Sequence, residues 1–423
     1  MTRPVADARQ GPDSSQPNVL QTLRYLMQWL PLMAITGVLA GSASALLIVS
    51  LAWATDTRER HHWIIALLPV VGMLVAMAYE RFGSTVMGGS NLILDEIHDP
   101  KSTIPLRMTQ LILIATITSH LFGASIGREG TAVQTGASLA DQLVKPFRLD
   151  ARARRILLMA GISAGFGSVF GTPLAGAIFG VEVLAIGSLN YEAVVPCLIA
   201  AFAGDLTTRA WGIHHDIFVV AEHPGMTLTG LLVSALAGAA FGLVARAFAR
   251  TSHAIDHLFK LHVSWPPLRP FLGGLLVAGA VFALHTTAYI GLGTPTTLAA
   301  FRGHLPPYQW LLKFLFTVVS LGAGFKGGEV TPLFYIGATL GNALSSVVPL
   351  PSSLLAGMGF VAVFAGAANT PLACTFMAME LFGTEVGAYA AVACIFSYLF
   401  SGHSGIYASQ RVQQGKFSSM RNR

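Results

Sequence analysis

GISAGFGSVFGTPLAGAIFGVEVL, Gly161–Leu184, aligns without a gap on GFVAVFAGAANTPLACTFMAMELF, Gly359–Phe382. Gly161 falls on Gly359, Phe166 on Phe364, Thr172-Pro173-Leu174-Ala175 on Thr370-Pro371-Leu372-Ala373, and Glu182 on Glu380, always 198 positions apart. A second pair repeats the relation at an offset of 201: Gly136-Ala137-Ser138-Leu139 falls on Gly337-Ala338-Thr339-Leu340. Gly, Ala and Leu are common in membrane helices, so one match alone would carry little; two at nearly one offset point to a twofold internal repeat. Repeats with broken helices are the layout of secondary transporters, whose ligand site lies near the bilayer midplane where half-helix ends from both repeats converge. Residue identities alone do not decide whether the repeats run parallel or inverted.

The composition places the repeat in a membrane. Of 423 residues, 53% are hydrophobic and 11% charged, against roughly 25% charged in a soluble domain. Apolar runs recur along the chain, among them 32–53, 106–122, 156–186, 227–249, 310–323 and 354–381. Several fall short of the ~20 residues of a full span and others exceed it, so broken, tilted or re-entrant helices are expected. The organisation expected is a polar cytoplasmic arm (1–24), a first membrane repeat (25–215), a second (216–403) and a C-terminal pore-lining segment with a short tail (404–423). The arm has no apolar core followed by a cleavage site, so a signal peptide is not expected. The densest basic loop, Lys145–Arg155, belongs in the cytoplasm by the positive-inside rule, and the net charge of +6 reflects such loops rather than nucleic-acid binding. Cys197, Cys374 and Cys394 lie singly in apolar runs and read as packing thiols.

Three glycine-rich stretches open apolar segments: Gly88-Gly89-Ser90-Asn91, Gly127-Arg128-Glu129-Gly130, and Lys326-Gly327-Gly328-Glu329-Val330-Thr331-Pro332. Each reads as a loop entering the membrane and starting a helix inside it. Such a start offers free backbone N–H groups and the positive end of the helix dipole, and glycine lets a ligand approach the backbone. Three converging starts make an anion site without a buried lysine. Glu129 then acquires a use: its own carboxylate can occupy the site, compete with the anion when charged, and leave when protonated. Direct pairing with Arg128 is disfavoured, because adjacent side chains on a helix diverge.

These segments resemble the CLC family of chloride channels and anion/proton antiporters, over most of the chain from Leu32 to Tyr407. The resemblance implies an all-α integral membrane protein, an inverted repeat of roughly 18 tilted and broken helices, and a homodimer with one pore per subunit. It implies Ser90 as inner anion contact, Glu129 as gating and proton-transfer glutamate, and Tyr407 as pore-lining hydroxyl. Departures from the chloride pattern are Asn91, Leu92 and Ile93 in the first motif, Thr131 in place of proline in the second, and Val330, flanked by Glu329 and Thr331, in the third. The position of an inner proton glutamate holds Val183. The differences resemble the fluoride/proton antiporter branch of bacteria, implying a multi-pass protein of the bacterial inner membrane that exports fluoride against protons. In that reading Gly127, Arg128, Gly130, Gly328 and Val330 complete the anion path with Glu329 and Thr331. Fluoride is small and strongly hydrated, so replacing its shell calls for donors of the kind Ser90, Asn91, Thr131, Thr331 and Tyr407 supply. No cofactor, metal or enzymatic activity is expected; the partners expected are fluoride or chloride, protons, lipid and a second subunit.

Other residues receive plainer readings. Glu182 and Glu380, at equivalent repeat positions, are expected to hold helix ends. Asp205 reads as interfacial, the pairs His61-His62 and His214-His215 as solvated loop residues, and Lys313 as snorkelling or bonding backbone carbonyls. Two alternatives stand beside the fluoride antiporter: a CLC chloride/proton antiporter or chloride channel, and an intramembrane serine hydrolase using Ser125 of Gly123-Ala-Ser-Ile-Gly127. The latter motif is short in a chain with 44 glycines and does not account for the repeat.

Overall fold

The computed structural model describes residues 19–417. The first half contributes α1 (Val19–Arg60), α2 (Leu68–Phe82), α3 (Ser90–His98), α4 (Arg107–Leu121), α5 (Glu129–Asp141), α6 (Ala151–Phe170), α7 (Pro173–Glu182) and α8 (Val194–Ala210). The second contributes α9 (Leu228–His262), α10 (Leu268–Leu284), α11 (Thr294–Arg302), α12 (Gln309–Gly322), α13 (Val330–Leu344), α14 (Ser352–Ala368), α15 (Pro371–Phe382) and α16 (Gly387–Phe400). Of the expected polar arm, residues 1–18 lie outside the described residues, and 19–24 form the first turns of α1; residues 418–423 of the expected tail also lie outside them. Among the described residues, five helical stretches are long and apolar enough to cross a membrane, and six shorter apolar helices accompany them.

The overlong apolar runs break where the repeat places Thr-Pro. The run 156–186 divides into α6 and α7 at Gly171, and 354–381 into α14 and α15 at Asn369. Both residues cap the preceding helix in the left-handed conformation, with φ of 73° and 58°. Proline then opens the next helix, where its missing N–H costs nothing.

The matched glycines are helix-crossing points. A Cβ on Gly136 would stand 2.3 Å from the Gly161 carbonyl, and one on Gly337 would stand 2.0 Å from the Gly359 carbonyl. Close approach of backbones is what small residues allow between membrane helices, here α5 on α6 and α13 on α14.

The orientation of the repeat follows from four hydrogen bonds. The Glu182 carboxylate, at the end of α7, accepts from Leu372 N (3.0 Å) and Ala373 N (2.8 Å) in the first turn of α15. The Glu380 carboxylate, in the last turn of α15, accepts from Leu174 N (2.9 Å) and Ala175 N (2.8 Å) in the first turn of α7. Each acid satisfies the unpaired N–H groups at the start of the other's helix. End meets start twice, so α7 and α15 lie antiparallel and the repeat is inverted. The helix-holding role expected of both glutamates is what the structure displays.

A buried ion cluster fixes the elements that carry the first motif. Arg154 of α6 binds both oxygens of Asp141 (2.7 and 2.8 Å) and reaches Glu96 of α3 (3.1 Å). Asp141 also accepts from Ile104 N, and Glu96 from Lys101 N and Ser102 N. α3, α5 and α6 are thereby joined at one end, which sets where Ser90, at the other end of α3, can lie. After α16 the chain returns beneath α7: β2 (Arg411–Val412) pairs in parallel with β1 (Ala185–Ile186), and Ile406 N donates to the Ala367 carbonyl.

Candidate functional site

The second and third glycine motifs meet at the centre of the molecule. Gly127 N donates to the Gly328 carbonyl (2.6 Å), and Gly328 N donates to the Gly127 carbonyl (2.8 Å), a two-rung bridge between equivalent loops of the two repeats. A Cβ on Gly127 would stand 2.5 Å from a Glu129 carboxylate oxygen, and one on Gly328 would stand 2.6 Å from Gly130 N. No larger residue fits this crossing while that carboxylate is in place.

Immediately past the bridge, α5 begins at Glu129 and α13 at Val330. Glu129 is completely buried. Its carboxylate is turned onto the start of the opposite repeat's helix, accepting from Thr331 N (3.0 Å) and from the Thr331 hydroxyl. A carboxylate therefore sits at the N-terminus of α13, where unpaired N–H groups and the helix dipole favour an anion.

A cavity of about 570 Å³ lies on one side of this crossing, and Ser90, Asn91, Glu329 and Tyr407 all line it. Gly89, Gln134 and Lys326 share its wall. Gln134, on α5, points an amide toward the Ser90 hydroxyl (3.4 Å). Sequence reading passed over Gln134, which stands five residues beyond Glu129 and about 140° round the helix from it, a register that gives no signal of a shared site. Lys326, three residues before Glu329, is turned onto Tyr79, its Nζ 4.8 Å from the ring centre.

A second, much smaller cavity of about 30 Å³ is lined by Arg128, Thr331 and four phenylalanine rings among others. Phe334, next to it, stacks on Phe360 at 4.0 Å. Thr331, which holds the Glu129 carboxylate, lines the small cavity, and Glu329, just ahead of α13, lines the large one, so the seat of the carboxylate on α13 adjoins both.

Two of the polar groups expected in the anion path are engaged elsewhere. The Thr131 hydroxyl is 2.6 Å from the Thr116 hydroxyl and ties α5 to α4. Asn91 lines the large cavity, but its side-chain oxygen accepts from Ser409 N (3.1 Å) and anchors the C-terminal segment. Val330 is buried and apolar in the first turn of α13. Among the other residues weighed, Lys313 does not snorkel: fully buried, it donates to the carbonyls of Tyr289 (3.2 Å) and Gly291 (2.7 Å). Asp205 is buried and binds Arg209. All three cysteines are buried and free. Ser125 is buried, its hydroxyl shared between the Tyr289 carbonyl (2.8 Å) and Thr317 (2.9 Å), with no histidine among its partners in the described residues. His61, His62 and His214 are exposed as expected, whereas His215 is not: it is half-buried and lines the small cavity.

Comparison with known proteins agrees with this geometry. The model of a family described as voltage gated chloride channel matches residues 71–402. A chloride/fluoride channel protein of Pseudomonas syringae pv. tomato is 56% identical over 407 residues, 95% of this chain and 90% of that one. The crystal structure of a CLC-type fluoride/proton antiporter superposes with a TM-score of 0.89 at 32% identity, covering 94% of this chain and all of the other. A slow cyanobacterial chloride/proton antiporter shares the fold, with a TM-score of 0.78 at 20% identity over 91% of this chain and 96% of that one.

Proposed function

The chain belongs to the voltage-gated chloride channel family, the CLC proteins, and from that premise we propose that it is a fluoride/proton antiporter with Glu129 as its gate. One observation carries the proposal: the Glu129 carboxylate occupies the N-terminus of α13, held by the backbone N–H and hydroxyl of Thr331. A transported anion needs the same donors, so anion and carboxylate exclude one another there. Protonation makes Glu129 a neutral acid that no longer competes. Transfer of one proton to a Glu129 oxygen thus coincides with admission of one anion, which is the exchange an antiporter performs.

The fluoride reading rests on the donors and on two likenesses. Ser90, Gln134, Tyr407 and Thr331 offer hydroxyl or amide N–H groups along the path, and Glu329 adds a carboxyl that donates when protonated. The relative at 56% identity carries chloride/fluoride in its name, and the structure at 32% identity is a fluoride/proton antiporter. Under this reading the large cavity is the cytoplasmic vestibule. Arg155, in the basic loop assigned to the cytoplasm, binds the Ile97 carbonyl at the end of α3, on the face where the C-terminal segment pairs with β1. The protein would act as a homodimer in the bacterial inner membrane with one pore per subunit.

The test uses purified protein in liposomes loaded with fluoride or chloride, following released anion and external pH together. Fluoride release with opposing proton uptake, and slow chloride release, is expected. Chloride release as fast as fluoride would reject fluoride selectivity and leave a chloride/proton antiporter; anion release without proton movement would leave a channel.

A further inference from the structure

The small cavity beyond Glu129 contains chemistry that gating by Glu129 does not use. Two nitrogen atoms near it, Arg128 Nε and His215 Nε2, are shielded from solvent and have no hydrogen-bond partner among the described residues. Buried donors without partners are uncommon in folded proteins and call for an explanation. Both residues line the same cavity, and so does Thr331, whose hydroxyl holds Glu129.

The segment that delivers His215 is firmly placed. Its ring packs on Gly171, the left-handed residue closing α6; a Cβ there would stand 2.5 Å from His215 Cδ2. Three residues on, Phe218 lies among Phe301, Phe360 and Phe382, with ring centres 5.0–6.4 Å away. Burial, with the Arg128 charge next, pushes the His215 ring down to about 4, so it is neutral at physiological pH. A neutral imidazole has one N–H, and in the tautomer that carries it on Nε2 that proton has no protein partner among the described residues and can point at a guest.

The cavity's volume, about 30 Å³, suits about one water-sized particle. Its charged lining is Arg128 and one carboxylate, Asp216, whose residue is exposed to solvent; the remaining wall is aromatic, aliphatic or threonine. We propose that this cavity is an outer holding site for one dehydrated small anion, received by Arg128 Nε–H and His215 Nε2–H and passed to Thr331 when Glu129 withdraws. The proposal rests on the fluoride reading for the identity of the anion, and on the geometry alone for the existence of the site. Fluoride is close to water in size and fits.

The experiment measures fluoride flux from each face separately, in right-side-out and inverted membrane vesicles, for wild type, His215→Ala and His215→Asn. Loss of one hydrogen bond to a charged guest corresponds to roughly tenfold in affinity. His215→Ala is expected to raise the half-saturating fluoride concentration about tenfold at the outer face with the inner-face value held, and His215→Asn, which retains an N–H donor, to restore most of it. No shift, an equal shift at both faces, or failure of asparagine to rescue would overturn the site. If the wild type carries chloride and not fluoride, the fluoride reading falls by itself. The same side-resolved curves taken with chloride then decide the site by the same criteria.

Discussion

At the scale of the residue, the protein's chemistry converges on Glu129 and Thr331. Glu129→Gln keeps the shape of the side chain and removes its charge, so it can neither compete with an anion as a carboxylate nor carry a proton. The expected outcome in liposomes is loss of proton movement, read as absent alkalinisation during fluoride release; normal coupled exchange would remove Glu129 from the gate. Thr331→Val keeps volume and removes the hydroxyl, leaving the backbone N–H in place. Fluoride turnover should fall about tenfold, the value of a hydrogen bond to a charged group, with chloride affected less. Equal loss for both ions would mean that the hydroxyl positions the helix rather than selecting the anion. Much of this site was legible in the sequence, because glycine followed by a charged residue at the head of an apolar run has few uses in a membrane. Ser90, Glu329 and Tyr407 reach one cavity as the motifs suggested. The partner of each hydroxyl was not legible: Thr131 is taken by Thr116, and Asn91 holds Ser409, since such pairings depend on which helices become neighbours. His215 was misread for the same reason. A histidine between short turns looks solvated until the chain folds it onto Gly171.

At the scale of the element, the repeat was visible but its direction was not. Matching residues report equivalence, and equivalence is the same for parallel and inverted copies. The reciprocal bonds of Glu182 and Glu380 resolve the direction, and they support a stability prediction. Each carboxylate accepts two backbone N–H groups at the opposite helix's start. Glu182→Ala leaves the buried Ala373 N–H and the partly buried Leu372 N–H of α15 without partners and should destabilise the protein by roughly 1–3 kcal/mol, read as a lowered melting temperature in detergent. Glu380→Ala, whose bonds to α7 are more exposed, should cost less, and the two losses should not add, because both act on one helix pair. Independent, additive losses would show that the caps work separately. The division of the overlong runs was partly legible, since Thr-Pro marks a helix start. The left-handed caps Gly171 and Asn369 that make the break were hidden in small-residue sequence.

At the scale of the whole molecule, the order of helices sets which loops share a face. From the loop before Ala151, α6 leads inward to the break at Gly171, α7 returns, and α8 crosses to the loop after Ala210. Arg148 and Gly225 are both exposed and should lie on opposite faces of the bilayer. Because Cys197, Cys374 and Cys394 are buried, Arg148→Cys and Gly225→Cys can each be read against a quiet background with a membrane-impermeant thiol reagent. Arg148→Cys should react only in inverted vesicles and Gly225→Cys only in right-side-out ones. The swapped pattern would reverse the assignment of the vestibule, and reaction of both from one side would refute this course of the chain. The basic loop made sidedness partly legible, whereas the course of the chain through broken helices needed the structure.

The bridge between Gly127 and Gly328 has a consequence for how the protein comes into being. Its two rungs belong to loops separated by about half the chain. While the ribosome is still making the second repeat, the first has its helices but only one side of the crossing, and Glu129 has no Thr331 to rest on. A chain that ends before Gly328 therefore has neither the bridge nor the Thr331 seat of Glu129, and the crossing of the two repeats can form only once the third glycine motif has been made.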